Sequence, residues 1–337
     1  MSHVFVLARR PVGLPQPDDF DLVELPDPAL EEQQVRVEPL MISVDPYLRG
    51  RMSNARSYVA PFEVGQPITS AAIGRVVESN ASTIAAGDLV RGEAPWATSY
   101  TTEASSLWRL PSDVEVNPSA YLGVLGMTGL TAYVGLVLLG QVKADDEILV
   151  TAAGGAVGSV VGQLAKIYGA RVVGSAGGAD KVGGLAALGF DAGIDYRAVD
   201  FSEALSASFP RGISLFFDNV GGSQFEAALH HTKDFARVLS CGAISQYNDT
   251  ELPAGPRGLE GLVVRRRLMI QGFIVSDHLA RYGEYLKQAI GWVQEGKLTS
   301  LETIVDGFEN LPTAFVSLFR GANVGKLLVA TQPQEEG

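Results

Sequence analysis

The sequence predicts an α/β protein in which a doubly wound parallel sheet is accompanied by a separate β-rich domain. Two observations support this fold class. From Glu147 onward, short apolar runs alternate with segments of helical periodicity, which is typical of parallel strands joined by crossover helices. Up to about residue 120, short β-type runs are separated by frequent prolines and glycines, which is typical of strands joined by irregular turns.

The elements follow in order along the chain. The first β-type runs are predicted at residues 4–7, 35–44, 71–77 and 89–91. The apolar, glycine-rich residues 121–140 predict a helix or a helix pair. Further strands are predicted at 148–150, 171–175, 192–195, 213–220, 236–240 and 268–275. Helices are predicted from Gly158 and at 180–188, 201–207, 224–230 and 278–295. A helix at 311–319 and a last strand at 326–330 follow them.

The last strand lies beyond the alternating part of the chain, and such a strand can return to the first domain. We therefore predict a discontinuous β-rich domain formed by residues 1–120 and 296–337. Residues 121–295 would form the inserted α/β domain.

Charge and cysteine content argue against several classes of protein. A formal net charge of −12 disfavours nucleic-acid and anionic-membrane partners, because both require a cationic surface. Cys241 is the single cysteine, so no disulfide can form within the chain, which suits the cytoplasm. No stretch approaches the roughly 20 apolar residues of a membrane-spanning helix. The N-terminal apolar run is too short for a signal peptide, so we expect a cytoplasmic protein.

The most informative stretch is EILVTAAGGAVGSVVGQLAKIYG, which reads as strand, glycine turn and helix. Its turn at residues 153–158 fits the pattern G-x-G-x-x-G with Ala153 in the first position. A glycine turn can merely connect a strand to a helix, but this context favours a dinucleotide whose pyrophosphate lies at the helix N-terminus.

The end of the next strand indicates which dinucleotide binds. In NAD-binding folds an acidic residue at this point accepts the ribose hydroxyls. Here residues 174–178 read GSAGG and contain no carboxylate, and Lys181 follows, where it could meet a 2′-phosphate. The alternative is a surface lysine in the first turn of a helix. We predict NADPH in preference to NADH.

Metal and nucleophile chemistry find no support in the sequence. One cysteine and four histidines show no metal-ligand spacing, and the G-x-S-x-G motif is absent. Tyrosine remains as a proton donor that is neutral near pH 7. Tyr47 lies in an irregular turn, whereas Tyr247 and the pair Asp218–Asn219 follow parallel strands and should face the cofactor. A half-buried packing role is the alternative for either tyrosine.

Several motifs in sequence order resemble those of one family. They are SVDPYLRGRMS, LGVLGMTGLTAY, AAGGAVGSVVGQLAK, RVVGSAGGADK, FFDNVGG, CGAISQYN, IQGFIV, and DGFENLPTAF followed by GANVGK. On these motifs the chain resembles, over nearly its whole length, the zinc-independent medium-chain reductases of the leukotriene B4 dehydrogenase, prostaglandin reductase and alkenal double-bond reductase family. The bacterial curcumin reductase branch is the most similar. The resemblance implies a GroES-like domain, a Rossmann domain, NADPH, no metal and a homodimer.

The resemblance also implies roles for individual residues. Those implied to hold the pyrophosphate are Gly155, Ala156, Val157 and Gly158. Those implied to bind the 2′-phosphate end are Lys181 and Tyr196. The nicotinamide ribose would be lined by Asn219 and by Cys241, Gly242, Ala243, Ile244, Ser245 and Tyr247. The nicotinamide would be flanked by Phe273, Ile274 and Val275, with Asn323 reaching the cofactor from the other domain. The substrate mouth would contain Tyr47 and Tyr58.

The expected reaction is hydride transfer from NADPH to the β-carbon of a small-molecule enone or enal. Tyr247 would be the catalytic residue that hydrogen-bonds the carbonyl oxygen and helps to protonate the enolate. One departure concerns Thr128, which occupies a position where relatives commonly have proline. Two alternatives stay open: an NADPH-dependent quinone reductase and a non-catalytic NADPH-binding protein. A metal-dependent alcohol dehydrogenase is the least supported possibility.

Overall fold

The computed structural model describes residues 1–112, 114–251 and 253–332. The backbone divides into two compact units. The first comprises Met1–Leu122, Glu302–Asn323 and the residues from Leu327 onward, and the second comprises Gly123–Leu301 and Val324–Lys326. Within the described ranges, no helix has the length and apolar character needed to cross a membrane.

The strands, in chain order, are β1 (Ser2–Leu7), β2 (Phe20–Leu25), β3 (Gln34–Val44), β4 (Thr69–Ser79), β5 (Leu89–Pro95), β6 (Tyr100–Glu103), β7 (Trp108–Arg109), β8 (Glu147–Val150), β9 (Arg171–Ala176), β10 (Ala192–Asp195), β11 (Ile213–Asp218), β12 (Thr232–Ser240), β13 (Met269–Gly272), β14 (Glu302–Asp306) and β15 (Lys326–Ala330). The α-helices are α1 (Leu48–Arg51), α2 (Met127–Tyr133), α3 (Gly158–Ile167), α4 (Ala179–Gly184), α5 (Phe201–Ser208), α6 (Gly222–His230), α7 (Leu259–Arg266), α8 (Tyr282–Gln294) and α9 (Leu311–Leu318).

The second unit contains a six-stranded parallel sheet in the order β10-β9-β8-β11-β12-β13. All residues of β8 and β11 are buried, because each strand is an apolar run covered on both faces. The chain proceeds outward from β8 to β10 and then returns to β11. The topological switch point therefore lies between β8 and β11, and ligands of such sheets bind outside the carboxyl ends of these strands. The predicted doubly wound fold is confirmed.

Two local predictions in this unit need correction, and one helix was not predicted. The strand expected at 268–275 is limited to β13 (Met269–Gly272). The helix expected at 278–295 begins at Tyr282, because a 3₁₀ segment that is non-helical at His278 precedes it. Helix α7 was not predicted; its sequence LEGLVVRR contains a glycine and adjacent valines, all weak helix formers.

The first unit contains a β1–β2 pair and an antiparallel sheet in the order β14-β15-β3-β4-β5-β7, with β6 paired to β3. Its core surrounds Trp96, whose ring stacks on Phe20 and meets Phe315 edge-on. Strands β2, β6 and β7 were not predicted. Strand β2 (FDLVEL) exposes most of its residues, so its composition gives a weak signal.

Candidate functional site

The glycine turn lies at the switch point, between the end of β8 and the start of α3. Ala152, one residue before the predicted turn, adopts the left-handed backbone (φ 49°) that reverses the chain. A Cβ added at Gly158 would lie 2.3 Å from the Ala152 carbonyl oxygen, so only glycine permits this approach of helix to strand. The N–H groups of Ala156 and Val157 have no hydrogen-bond acceptor within the described residues. The turn therefore presents donors at a helix N-terminus, as a pyrophosphate requires.

A short segment of the C-terminal part of the chain covers this turn. The Gly325 amide donates to the Gly154 carbonyl oxygen at 2.7 Å, and Gly325 forms a parallel bridge with Gly155. Asn323, expected to contact the cofactor, precedes this segment by one residue and belongs to the first unit.

Three polar side chains, which we call the cationic cluster, lie beside the turn: Lys181, Tyr196 and Arg197. A Cβ added at Gly154 would lie 3.9 Å from the Lys181 Cβ. A Cβ added at Gly177 would lie 2.8 Å from both the Tyr196 hydroxyl oxygen and the Arg197 Nε. The cluster thus lies beside the glycines that directly follow β9, which themselves contain no carboxylate.

The cluster is charged and preorganised. Burial, and after it the charge of Arg197, lowers the pKa of Lys181. Asp195 fixes the local backbone, since its Oδ1 accepts the amides of Gly178 and Arg197 at 3.0 Å each. A half-buried lysine and an exposed arginine that repel each other are a suitable environment for an anion. Sequence reasoning missed Arg197, although it directly follows Tyr196.

At the end of β11, Asp218 turns inward, which corrects the expectation that it faces a ligand. Its carboxylate accepts the Thr151 hydroxyl at 2.7 Å and the amides of Val220 and Gly221. Burial raises the pKa of Asp218. Asn219 joins the same network, because its backbone amide donates to the Thr151 hydroxyl and its Nδ2 to the Thr151 carbonyl. Thr151 was also missed, and it holds the two strand ends together.

The loop after β12 is fixed to this network. The amides of Cys241 and Gly242 donate to the Asp218 carbonyl oxygen at 2.8 and 3.2 Å, and the Ser245 hydroxyl donates to the Val220 carbonyl. Burial, and after it Asp218, raises the pKa of the Cys241 thiol to about 12, so the thiol is not a nucleophile at neutral pH. A Cβ added at Gly242 would lie 3.1 Å from the Tyr247 hydroxyl oxygen. The phenol of Tyr247 thus reaches back to the strand end.

Beyond β13, Phe273 meets the ring of Phe217 edge-on at 6.1 Å. A Cβ added at Gly135, in the π-helical segment Val134–Leu139, would lie 2.6 Å from the Phe273 ring. Phe273, Ile274 and Val275 are each half-buried. Together with the turn, the cationic cluster and the loop after β12, they lie at the carboxyl ends of the parallel strands.

The two predicted substrate residues lie in the first unit. Tyr47 directly precedes α1 and packs against the core, and burial, followed by the charge of Asp45, raises the pKa of its phenol. Tyr58 is 61% exposed. Within the part of the chain that the structure describes, no three His, Cys, Asp or Glu side chains are placed to hold a metal ion.

Thr128, where relatives have proline, is the second residue of α2 and is buried. Its hydroxyl donates to the Gly123 carbonyl oxygen at 2.9 Å and so closes the turn that leads into the helix.

Comparison with known proteins gives a consistent result. Residues 3–110 match a family described as the N-terminal domain of oxidoreductase, and residues 156–295 match one described as zinc-binding dehydrogenase. The chain is 44% identical to the putative NADP-dependent oxidoreductase YfmJ of Bacillus subtilis over 96% of both chains. It is 42% identical to the NADPH-dependent curcumin reductase of Escherichia coli over 96% of this chain and 95% of that one. Among solved structures, CurA of Vibrio vulnificus in complex with NADPH matches with a TM-score of 0.93 at 38% identity, covering 98% of this chain and 99% of that one.

Proposed function

The chain belongs to the leukotriene B4 dehydrogenase, prostaglandin reductase and alkenal double-bond reductase family of medium-chain dehydrogenases/reductases, and on this premise we propose its function. It is an NADPH-dependent oxidoreductase that reduces the carbon–carbon double bond of α,β-unsaturated ketones or aldehydes. The observation that carries the proposal is the cationic cluster beside the glycine turn, which suits a dinucleotide bearing an additional phosphate.

The residues present fit NADPH. The free amides of Ala156 and Val157 would receive the pyrophosphate at the start of α3. Lys181, Tyr196 and Arg197 would receive the 2′-phosphate. Asn219, the loop from Cys241 to Tyr247, the Phe273–Val275 segment and Asn323 would position the nicotinamide half.

In the proposed reaction, NADPH held by these residues would supply a hydride to the β-carbon of the acceptor, and the electron pair of the double bond would move toward the carbonyl oxygen. The chain's own task is to stabilise the negative charge on that oxygen and to deliver a proton to the α-carbon. Tyr247 donates a hydrogen bond to the oxygen, directly or through the ribose hydroxyl, because its phenol is a neutral donor at the strand end. Tyr47 and Tyr58 contact the substrate at the mouth of the substrate site.

The test is the variant Tyr247→Phe, with Tyr168→Phe as the matched control, since Tyr168 packs on Trp292 and has no proposed role. Positioned proton transfer contributes about 10²–10⁴-fold to a rate. We expect Tyr247→Phe to lower kcat for an enone within this range while the variant still binds NADPH. Turnover equal to that of Tyr168→Phe would remove Tyr247 from the mechanism.

A second candidate function is quinone reduction, which uses the same cofactor, and a third is NADPH binding without catalysis. NADPH oxidation measured with alkenals, a curcumin-like dienone and quinones separates the three. Turnover of quinones alone would support the second candidate. NADPH binding without turnover of any acceptor would support the third.

The proposed assembly is a homodimer in the cytoplasm, with no nucleic-acid or membrane partner. Strand β13 is the outer strand of its sheet, and Met269 and Ile270 are 41% and 36% exposed. An open apolar edge is suited to pairing with the same edge of a second copy. We expect a dimer mass by light scattering and a shift toward monomer in Ile270→Lys. A monomeric wild-type protein would refute this assembly. The single cysteine supports the cytoplasm.

The division into a GroES-like domain of residues 1–120 and 296–337 and a Rossmann domain of residues 121–295 is part of the same proposal. Expression of residues 121–295 alone tests it, since a folded fragment that binds NADPH is the expected result. A fragment that stays unfolded with NADPH present would speak against these boundaries.

A further inference from the structure

We infer that Arg51 is a positioning residue for the segment of residues 52–61, which we call the Tyr58 loop. The inference rests on the proposed function, in which Tyr58 contacts the substrate. It concerns the first unit alone and is independent of the cofactor-binding residues.

Arg51 closes the base of the Tyr58 loop from both ends. Its carbonyl oxygen accepts the Phe62 amide at 2.6 Å, so the backbone is joined across the loop. Its Nε donates to the Ala60 carbonyl oxygen at 3.2 Å. Its guanidinium carbon lies 3.9 Å from the centre of the Phe62 ring, at cation–π distance.

The same side chain joins the loop to the sheet. Nη1 donates to the Thr69 hydroxyl and to Glu93 Oε1, both at 3.3 Å, and Thr69 donates to the same Glu93 oxygen at 2.7 Å. Thr69 begins β4 and Glu93 lies in β5, so two neighbouring strands hold the guanidinium. The side chain of Arg51 is only 17% exposed.

The Tyr58 loop begins at Met52, which is buried in the core, but its middle is exposed to solvent. Residues Asn54 to Tyr58 are all exposed, whereas Phe62, which directly follows the loop, is buried in the core. The phenol of Tyr47 lies within electrostatic range of Arg51, Glu93 and Tyr58, so the loop carries Tyr58 close to the second substrate tyrosine.

The contacts require the shape of arginine. The planar fork donates in two directions while its face covers a ring, which the compact ammonium of lysine cannot reproduce. Loss of these contacts should let the loop sample more conformations, and a substrate that contacts Tyr58 must then order it on binding. Small acceptors that do not reach Tyr58 are not affected.

The experiment compares Arg51→Lys with Arg36→Lys in the full-length protein. Arg36 is an apt control, because its side chain is also 17% exposed and it binds a carbonyl oxygen and a carboxylate of the same unit. We expect Arg51→Lys to raise KM for curcumin about tenfold, as expected for the loss of one charge-assisted contact. KM for but-3-en-2-one, kcat for that acceptor and the Kd for NADPH should match those of Arg36→Lys.

Limited proteolysis gives a readout that does not depend on activity. Arg56 is an exposed trypsin site within the Tyr58 loop. Cleavage after Arg56, identified by mass, should be faster in Arg51→Lys than in Arg36→Lys. Should Arg51→Lys not fold, Glu93→Gln removes the carboxylate that holds the guanidinium and should give the same changes to a smaller extent.

An unchanged KM for curcumin, or an equal rise for both acceptors, would overturn the positioning role. Absence of enone turnover in the wild-type protein would instead refute the proposed function. In that event the proteolysis still decides the inference, and equal cleavage after Arg56 in both variants would refute it.

Discussion

Removal of the cationic cluster tests the proposed cofactor most directly. The perturbations are Lys181→Ala, Arg197→Ala and the double variant. Lys181 lies beside Gly154 of the glycine turn and Arg197 lies beside Gly177, and the backbone of Arg197 is fixed by Asp195. Only the 2′-phosphate distinguishes NADPH from NADH, so the ratio of the two dissociation constants isolates this part of the site.

The magnitude follows from the two contacts. A charge-assisted hydrogen bond contributes about 1.5–3 kcal/mol, so each single variant should reduce the preference for NADPH roughly ten- to hundredfold. In the double variant, the preference for NADPH should fall by a smaller factor than the product of the two single-variant factors. Arg197 and Lys181 repel each other in the free protein, so removal of one relieves a cost borne by the other.

The preference should also depend on pH in a defined direction. Burial, and after it Arg197, lowers the pKa of Lys181, so the free protein loses this charge at a lower pH than an ordinary lysine would. A bound dianion favours the protonated amine. The affinity for NADPH relative to NADH should therefore fall as pH rises through the lowered pKa. In Arg197→Ala the fall should move to higher pH, because one cause of the lowering is gone.

Isothermal titration with NADPH and NADH, from neutral to alkaline pH, measures both effects. Lys166→Ala is the matched control, since it removes one positive charge from a surface ion pair with Asp191 at 3.0 Å. An unchanged ratio in both single variants would refute the role of the cluster. If the preference for NADPH over NADH fell only as much as it does in Lys166→Ala, the effect of the cluster would be a general effect of charge.

Three further predictions concern the support of the site. Thr128→Val loses the hydroxyl contact to the Gly123 carbonyl and should lower the free energy of unfolding by about 1 kcal/mol. Urea unfolding measures this loss, with Thr128→Pro as the comparison variant, because proline is tolerated in a first helical turn. Gly158→Ala places a Cβ 2.3 Å from the Ala152 carbonyl oxygen, so it should cost about 1–3 kcal/mol and weaken NADPH binding; wild-type affinity would contradict this. Burial opposes ionisation of Glu147, but its two arginine partners outweigh burial and lower its pKa. Glu147→Gln should therefore lower the free energy of unfolding by about 1.5–3 kcal/mol at neutral pH. The difference in stability between wild type and variant should vanish as pH falls through the lowered pKa of Glu147, and a difference independent of pH would contradict the prediction.

The parallel sheet was predictable because its signals are local. Strands β8 and β11 are apolar runs that need burial on both faces, and the intervening helices have their own periodicity. Strand β2 and helix α7 escaped prediction because their composition gives only a weak local signal. Their partners in the fold stabilise them, which is a tertiary effect that a local pattern does not contain.

The kink before α8 has a similar cause. The apolar periodicity of residues 278–295 continues without interruption in the sequence, and nothing in it marks His278 as non-helical. The chain bends at His278 within the 3₁₀ segment Val275–Arg281, so the helix starts four residues later than its periodicity indicates. Periodicity reports which face is buried, and a bend between two segments can preserve that face.

The functional site shows the same difference between local signals and tertiary effects. The glycine turn is readable because one short stretch contains the strand, the turn and the helix that it needs. Arg197 became recognisable only through the pairing of β10 with β9, which sets Asp195 opposite Ala176 and brings the following residues beside Gly177. This register depends on the whole sheet. The sequence position of Arg197 alone is compatible with a solvated surface residue.

The position of Asp218 along its strand does not determine the direction in which its side chain points. The sequence placed it at the carboxyl end of β11, where ligands bind, but successive side chains of a strand point to opposite faces. The carboxylate turns toward Thr151 and two amides, and in doing so it joins β11 to β8 and supports the turn that follows. A buried carboxylate without such donors would be strongly disfavoured. Asp218 therefore acts on the site through Thr151 and through the amides of Val220 and Gly221. Thr151 in turn accepts the backbone amide of Asn219.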